Sequence, residues 1–158
     1  MTRADITRVL AIGTLAGVAG GLAEVAWISL YAAATGLDAA SVARGVTDTL
    51  RLSTQTPVAA GIAIHMGIAA ALGLAVTAAL KPLRAHLGAV AFHGTVIAVL
   101  AAAWAINFLF VLPVVNPAFV AIVPFAVSFT SKLMFGVAAA GCLAIGDAAG
   151  ILIPAARA

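Results

Sequence analysis

The stretch PFAVSFTSKLMFGVAAAGCLAIG, residues 124–146, decides the fold class of this chain. About 20 apolar residues in a helix are enough to cross the hydrocarbon core of a bilayer. Lys132, near the middle of the stretch, is the one charged residue within it. Exposing a lysine at mid-bilayer costs about 2.5 to 3.5 kcal/mol on insertion scales, so such a residue faces the protein interior and pairs. The stretch therefore predicts a membrane helix whose lysine has a partner on another helix.

The composition of the whole chain agrees with this interpretation. The chain has 158 residues, of which 65% are hydrophobic and 8% charged, and its mean hydropathy is +1.22. Soluble domains are about 25% charged, so the chain belongs to the membrane class and its main partner is the lipid bilayer. The net charge of +3 comes from basic residues scattered at the ends of apolar segments. These residues indicate topology, and we expect no nucleic-acid partner.

Four apolar segments are long enough to span a membrane: 9–34, 57–80, 87–112 and 118–146. Each is expected to be helical, because an open sheet in lipid would leave backbone groups without hydrogen bonds. The predicted fold is all-α, an integral membrane four-helix bundle that forms a single membrane domain over residues 1–158.

The connection between the first two segments, TGLDAASVARGVTDTLRLSTQTP, is the only long polar stretch. Asp38 can cap a short helix in which Val42, Val46 and Leu50 recur every four residues. This pattern predicts an amphipathic interfacial helix that lies along the membrane surface between helices 1 and 2.

The distribution of basic residues predicts the orientation of the chain. One side would carry Arg3, Arg8, Lys81, Arg84 and Arg157. The other side would carry only Arg44 and Arg51, together with Asp38 and Asp48. By the positive-inside rule both termini are cytoplasmic, in a multi-pass protein of a bacterial-type inner (plasma) membrane.

Three ionisable residues inside the spans are expected to lie at similar depth. Counted from the cytoplasmic helix ends at 1.5 Å per residue, Glu24 lies about 22 Å in, His65 about 24 Å and Lys132 about 20 Å. We therefore expect a Glu24–Lys132 ion pair with His65 nearby. Such a cluster can hold a ligand or relay a proton, or it can serve only to fix which helix faces which.

A second polar stripe is predicted on the third span. His93, Trp104 and Asn107 are separated by 11 and 3 residues, which places them on one helix face. His93 lies only about 12 Å from the cytoplasmic end, so it is not level with His65. This mismatch argues against a haem held by both histidines. A haem with one ligand, or with ligands from two copies, stays open, so His65 and His93 are weak metal candidates and no metal site or cofactor is assigned.

Small residues suggest close helix packing. Gly13, Gly17 and Gly21 are four residues apart, and Gly136 with Ala140 repeats the spacing. Such faces let helix backbones approach closely, either within one bundle or between copies. We therefore expect a homo-oligomer or a subunit of a membrane complex.

A weak repeat relates the first and third spans. Gly17 and Trp27 are separated by ten residues, as are Gly94 and Trp104, and an alanine precedes each tryptophan. A parallel duplication of this kind would resemble the repeats of some transporters, whose sites lie at the repeat interface.

The sequence lacks a Walker loop, a dinucleotide fingerprint, an H-E-x-x-H motif and a nucleophile elbow, so we expect no enzymatic activity. The leading hypothesis is that the protein moves a small solute, ion or proton through a site at Glu24, His65 and Lys132. One alternative is a non-catalytic structural or assembly subunit of a larger membrane complex. A second alternative is a haem- or metal-binding membrane protein.

Overall fold

Helices make up nearly all of the structure, a computed structural model that describes residues 3–148. The elements are α1 (Arg3–Thr35), α2 (Ala39–Thr49), α3 (Pro57–Arg84), α4 (Ala89–Ile106), a π-helical segment (Asn107–Val111), α5 (Leu112–Val115), α6 (Pro117–Ile122) and α7 (Phe125–Ala148). No strand occurs within residues 3–148. The predicted all-α fold is confirmed.

Four stretches of helix are long and apolar enough to cross a membrane: Asp5–Thr35, Pro57–Arg84, Ala89–Val115 and Phe125–Ala148. Large apolar side chains point outward from them, and Leu15, Leu22 and Ile145 are each more than half exposed. A helix surface of this kind is stable against hydrocarbon rather than against water. The chain is a multi-pass membrane protein built as a four-helix bundle.

Consecutive long helices run in opposite directions, and α1 is the central one. It packs along its length against α3 and α7, and α4 packs against α7, whereas the edge between α3 and α4 is the loosest of the four. We call the end of the bundle where α1 begins and α7 ends the basic end, because Arg3, Arg8, Lys81 and Arg84 are there. The opposite end, covered by α2 and α6, is the α2 end.

The glycines of α1 bring the backbones of α1 and α3 together. A Cβ atom at Gly17 would overlap the carbonyl oxygen of Ala69, and Gly13 and Gly21 also face α3. Gly136 of α7 faces Ile97 of α4 in the same way. These glycine faces are used inside one bundle, so they supply no argument for an interface between copies.

The hydrophobic core fills the half of the bundle nearest the basic end. Its members are Ile12, Ala16, Ala69, Val76, Leu80, Phe92, Val96, Leu100, Phe135, Ala139 and Leu143. Phe92 and Phe135 are the largest side chains that are fully buried. Tight packing of this kind leaves few voids large enough for water, so this half of the bundle is closed.

The short helix α2 begins where the sequence predicts it. Asp38 caps it by accepting a hydrogen bond of 2.9 Å from the backbone N–H of Ala40. The Arg44 guanidinium beside Asp38 holds the pKa of that exposed carboxyl below its usual value. The hydroxyl of Thr47 donates to the carbonyl oxygen of Pro57 at 2.6 Å and fastens α2 to the start of α3.

The apolar side of α2 faces a different surface from the one predicted. Val42 and Val46 line a cavity between the long helices instead of facing lipid along the membrane surface, and Leu50, which also lines it, is half exposed. The reason is the loose edge between α3 and α4, which leaves apolar space at the α2 end that the core does not fill. The amphipathic helix is therefore a cover over that space.

The fourth predicted span, 118–146, is interrupted. Val123 has an extended backbone (φ −115°, ψ 116°) between α6 and α7, and Pro124, which has no backbone N–H, follows it. Asn116 caps α6 by accepting from the backbone N–H of Phe119 at 3.0 Å, and it donates to the hydroxyl of Thr49 at 3.0 Å. The first turns of the predicted span thus belong to the cover over the α2 end.

The close contact at Gly17 can be tested against its counterpart in the weak repeat. Replacing Gly17 by Ala should lower stability by about 1 to 3 kcal/mol, because the added methyl group overlaps the backbone of α3. Gly94→Ala is the matched control, since nothing lies within 4 Å of a Cβ atom there. Thermal unfolding in detergent measures both, and equal melting temperatures for the two variants would contradict the packing described.

Candidate functional site

Glu24 of α1 and Lys132 of α7 form an ion pair within the membrane-spanning part of the bundle. Lys132 Nζ lies 2.7 Å from Glu24 Oε1, and the two side chains are 16% and 9% exposed. The same ammonium group lies 4.5 Å from the centroid of the Phe135 ring, a distance typical of a cation–π contact. The lysine therefore has both a charge partner and an aromatic neighbour.

Small residues on α1 set the distance across this pair. Gly20, one helical turn before Glu24, packs against the Phe135 ring, which lies 2.7 Å from where a Cβ atom would be. Phe135 is in turn about one turn after Lys132. The bare backbone at Gly20 lets α7 approach α1 closely enough for the two charged groups to meet.

His65 of α3 is the third predicted member of the cluster, and the structure places it beside Glu24. Its Nε2 atom lies 3.7 Å from Glu24 Oε2, which is beyond hydrogen-bond distance. Nε2 is buried, and within residues 3–148 it has no hydrogen-bond partner. The imidazole thus lies beside the ion pair with this nitrogen unsatisfied.

Glu24, His65 and Lys132 all line one cavity of about 630 Å³. Trp104 and Asn107 of the predicted second stripe line it too, as do Ser128 and Ser131. The apolar part of the wall includes Ile28, Val42, Val46, Ile62, Leu72 and Leu112. An apolar cavity of this size with a few convergent polar groups is typical of a site for a small molecule.

The cavity is closed at the basic end and covered at the α2 end. Phe135 is part of its wall and is completely buried, and the packed core continues behind it. Phe119 and Val123 belong to the cover, together with α2. Ile62 and Ile68 of α3 and Asn107 line the cavity and are nevertheless exposed, so the cavity reaches the surface at the loose edge between α3 and α4. Ser29 of α1 and Leu50 at the end of α2 are exposed lining residues as well.

Both tryptophans bind the first turn of α7. The indole N–H of Trp104 donates to Ser128 Oγ at 2.6 Å, and that of Trp27 donates to the carbonyl oxygen of Val127 at 3.1 Å. Both bonds reach the same helix, whereas a parallel duplication would direct Trp27 toward α7 and Trp104 toward α3, so they do not support the weak repeat. Its glycines do not behave alike, because Gly17 is tightly packed whereas Gly94 borders open space.

A π-helical segment, Asn107–Val111, forms part of the cavity wall. Asn107 is its first residue, and Pro113, which cannot donate a backbone hydrogen bond, lies two residues beyond its end. π-Helical turns are rare and are found frequently at functional sites. The wider π-helical turn begins at Asn107, which is the one polar residue of the segment.

His93, the remaining predicted site residue, lies elsewhere. Its Nε2 atom is 3.6 Å from Asp147 Oδ2, and Arg84 Nε is 2.8 Å from the same oxygen. Asp147 follows Lys132 by 15 residues on α7, so the two clusters are about 22 Å apart along the helix. The predicted stripe faces α7 at two separate levels rather than forming one site.

This separation also bears on metal binding. His65 lies beside Glu24 whereas His93 lies beside Asp147, so the two histidines do not share a site. Within residues 3–148 no group of three or more His, Cys, Asp or Glu side chains is arranged to hold a metal ion. Neither His65 nor His93 therefore supplies a second ligand to a metal ion bound at the other histidine.

The cluster of Arg84, His93 and Asp147 is a feature that the sequence interpretation missed. The positive-inside pattern marks Arg84 only as a topology signal, and Asp147 lies near the end of its span. Depth counting of the kind used for Glu24 and Lys132 would have placed all three near the basic end. The signal was therefore present in the distances from the helix ends.

Comparison of the chain with family models, with curated proteins and with solved structures finds no match.

The ion pair predicts an asymmetry between single and double variants. Lys132→Met leaves the Glu24 carboxylate buried without a partner and should lower stability by about 3 to 5 kcal/mol. Adding Glu24→Gln removes that unpaired charge and should restore a large part of the loss. Thermal unfolding of the two single variants and the double variant, in one detergent, measures this coupling. A double variant as unstable as the sum of the singles would show that the two groups do not interact.

Proposed function

We propose that this membrane protein binds a small solute, ion or proton at Glu24, His65 and Lys132 and moves it across part of the bilayer. The observation that carries the proposal is the convergence of these three side chains, from three different helices, on one cavity. Ionisable groups inside a membrane are expensive, and in proteins they mark ion and substrate pathways. We assign the site no bond-making chemistry, so the protein is not proposed to be an enzyme.

The mechanism starts from competition for Glu24. A proton on the carboxylate, or a solute bound to either charged group, weakens the 2.7 Å contact with Lys132. The Coulomb attraction that holds α1 and α7 together at this level then falls. A ligand that binds this opened arrangement better than the closed one shifts the population toward it.

Two features favour α7 as the moving element. Its N-terminal end follows the extended residue Val123 and Pro124, so no continuous helix ties it to α6. Phe135, which separates the cavity from the core, touches Lys132 and would move with it. Release of Lys132 from Glu24 would therefore also move Phe135, the residue that closes the cavity toward the basic half of the bundle.

The proposed orientation places the basic end in the cytoplasm. Arg3, Arg8, Lys81 and Arg84 support it through the positive-inside rule, while Arg157 lies outside the described residues. The cavity then lies in the outer half of a bacterial-type inner membrane.

The test uses purified protein in liposomes that contain a pH-sensitive dye, with a potassium gradient and valinomycin to drive protons. Wild-type protein should carry protons faster than empty liposomes, and the Glu24→Gln/Lys132→Met variant should lose most of that flux. The matched control is Arg84→Met/Asp147→Asn, which removes the other buried ion pair and leaves the cavity unchanged. It should keep the wild-type flux.

A solute other than a proton is tested in parallel by mass spectrometry of molecules that are released from the purified protein. A small molecule that the wild type and the control variant retain, and the site variant loses, would support the proposal. If the folded site variant matches the wild type in both measurements, the proposal is overturned. Partner chains that remain bound to that unaffected variant would favour the alternative of a subunit whose ion pair only fixes helix packing.

A further inference from the structure

The cavity also indicates what kind of molecule fits it. Its opening lies between α3 and α4, where Ile62, Ile68 and Asn107 are both exposed and part of the wall. In a membrane this edge faces lipid chains. A molecule that reaches the cavity by this route must be soluble in hydrocarbon.

The charges in the wall favour a neutral occupant. Glu24 and Lys132 carry opposite charges 2.7 Å apart, so the pair has no net charge. An anion or a cation bound there would leave one unbalanced charge in a low-dielectric environment, which is costly. A neutral molecule adds no charge to the site.

The hydrogen-bonding groups that remain free favour an occupant with an acceptor oxygen. Among the described residues His65 Nε2 has no hydrogen-bond partner, and a neutral imidazole can carry its proton on that atom. An ammonium group has three donors, and Glu24 is the only hydrogen-bonding partner described for Lys132. The amide of Asn107 can donate from the opposite wall.

Aromatic rings in the wall favour a flat occupant. Trp104 and Phe108 both line the cavity and are stacked, with ring centroids 5.7 Å apart and planes inclined by 16°. The indole is held in place by its hydrogen bond to Ser128. A planar ring can pack against this preorganised surface at little cost in side-chain entropy.

We propose that the occupant is a neutral, lipid-soluble ring compound with carbonyl oxygens, of the quinone class, which enters from the bilayer between α3 and α4. The inference rests on the proposed function, because it takes the same cavity as the binding site. The carbonyl oxygen accepts hydrogen bonds from His65 and Lys132, the ring lies against Trp104, and the tail extends toward the lipid. The volume of about 630 Å³ suits a molecule of this size.

The two tryptophans of the chain allow a direct test by fluorescence. Trp27→Phe leaves Trp104, in the cavity wall, as the only tryptophan, and Trp104→Phe leaves Trp27, which is not part of that wall. Both proteins are titrated in detergent with decylubiquinone, whose ring quenches a nearby indole. The Trp104 signal should fall along a saturable curve. In the second protein the ring that the quinone packs against has been removed, so the Trp27 signal should fall only in proportion to the quinone dissolved in the micelles.

Site variants are then made in the Trp27→Phe protein. His65→Phe should raise the Kd for the quinone about tenfold, the effect of losing one hydrogen bond. Asn107→Leu provides a second variant on an exposed position, should His65→Phe fail to fold. Arg84→Met/Asp147→Asn, which removes the distant ion pair, should leave the Kd unchanged.

Competition identifies the chemistry that is recognised. Decylbenzene has the ring and tail without carbonyl groups, and decanoate has a charged head, so both should displace the quinone poorly. The inference would be overturned if decylbenzene displaced the quinone with equal affinity, or if decanoate displaced it better. It would also be overturned if both tryptophans were quenched linearly and to the same extent. Saturable quinone binding without liposome flux would defeat the proposed movement alone, and flux without quinone binding would defeat the quinone assignment alone.

Discussion

The ion pair between Glu24 and Lys132 is the constraint on which the rest of the structure depends. A lysine in an apolar span is tolerated only where another helix neutralises it, and the carboxylate that does so is on the first span. This requirement places α1 beside α7 with one register. Gly20 makes this close approach possible, because without a side chain there the Phe135 ring can lie against the backbone of α1. The pair therefore determines which helices are neighbours as well as where the polar groups lie.

The bundle has two unlike halves as a consequence of how its helices contact one another. Glycines hold α1 against α3, and large apolar side chains fill the basic half as a continuous core. Toward the other end the α3–α4 edge is loose, and a cavity with a polar cluster replaces the core. The cover formed by α2 and α6, joined through Asn116 and Thr49, closes this space at the α2 end. The proposed site thus exists because the core stops at Phe135.

Much of this arrangement could be predicted from residue counting. Segment length gave four spans, and depth along each span brought Glu24, His65 and Lys132 to one level. The same counting separated His65 from His93. It was not applied to Asp147, so the buried cluster that joins Asp147 to Arg84 and His93 was missed. Two other differences from the prediction depend on neighbouring helices. Val42 and Val46 of α2 face a cavity rather than lipid, and the fourth span is divided at Val123 and Pro124. A hydrophobic period shows that a helix has an apolar side, and it does not show what covers that side.

Residue patterns alone are enough to conclude that the chain is helical, has four segments long and apolar enough to span a membrane, and must pair a buried lysine. These conclusions follow from local physics, because the cost of exposing backbone groups or a charge to hydrocarbon does not depend on the rest of the fold. Three features become visible only in the folded chain: the α1 glycines are used within one bundle, Trp104 and Asn107 share a cavity with the ion pair, and His93 does not. The packing of all the helices together determines the neighbour that each helix face contacts. The sequence of a single segment does not contain this information.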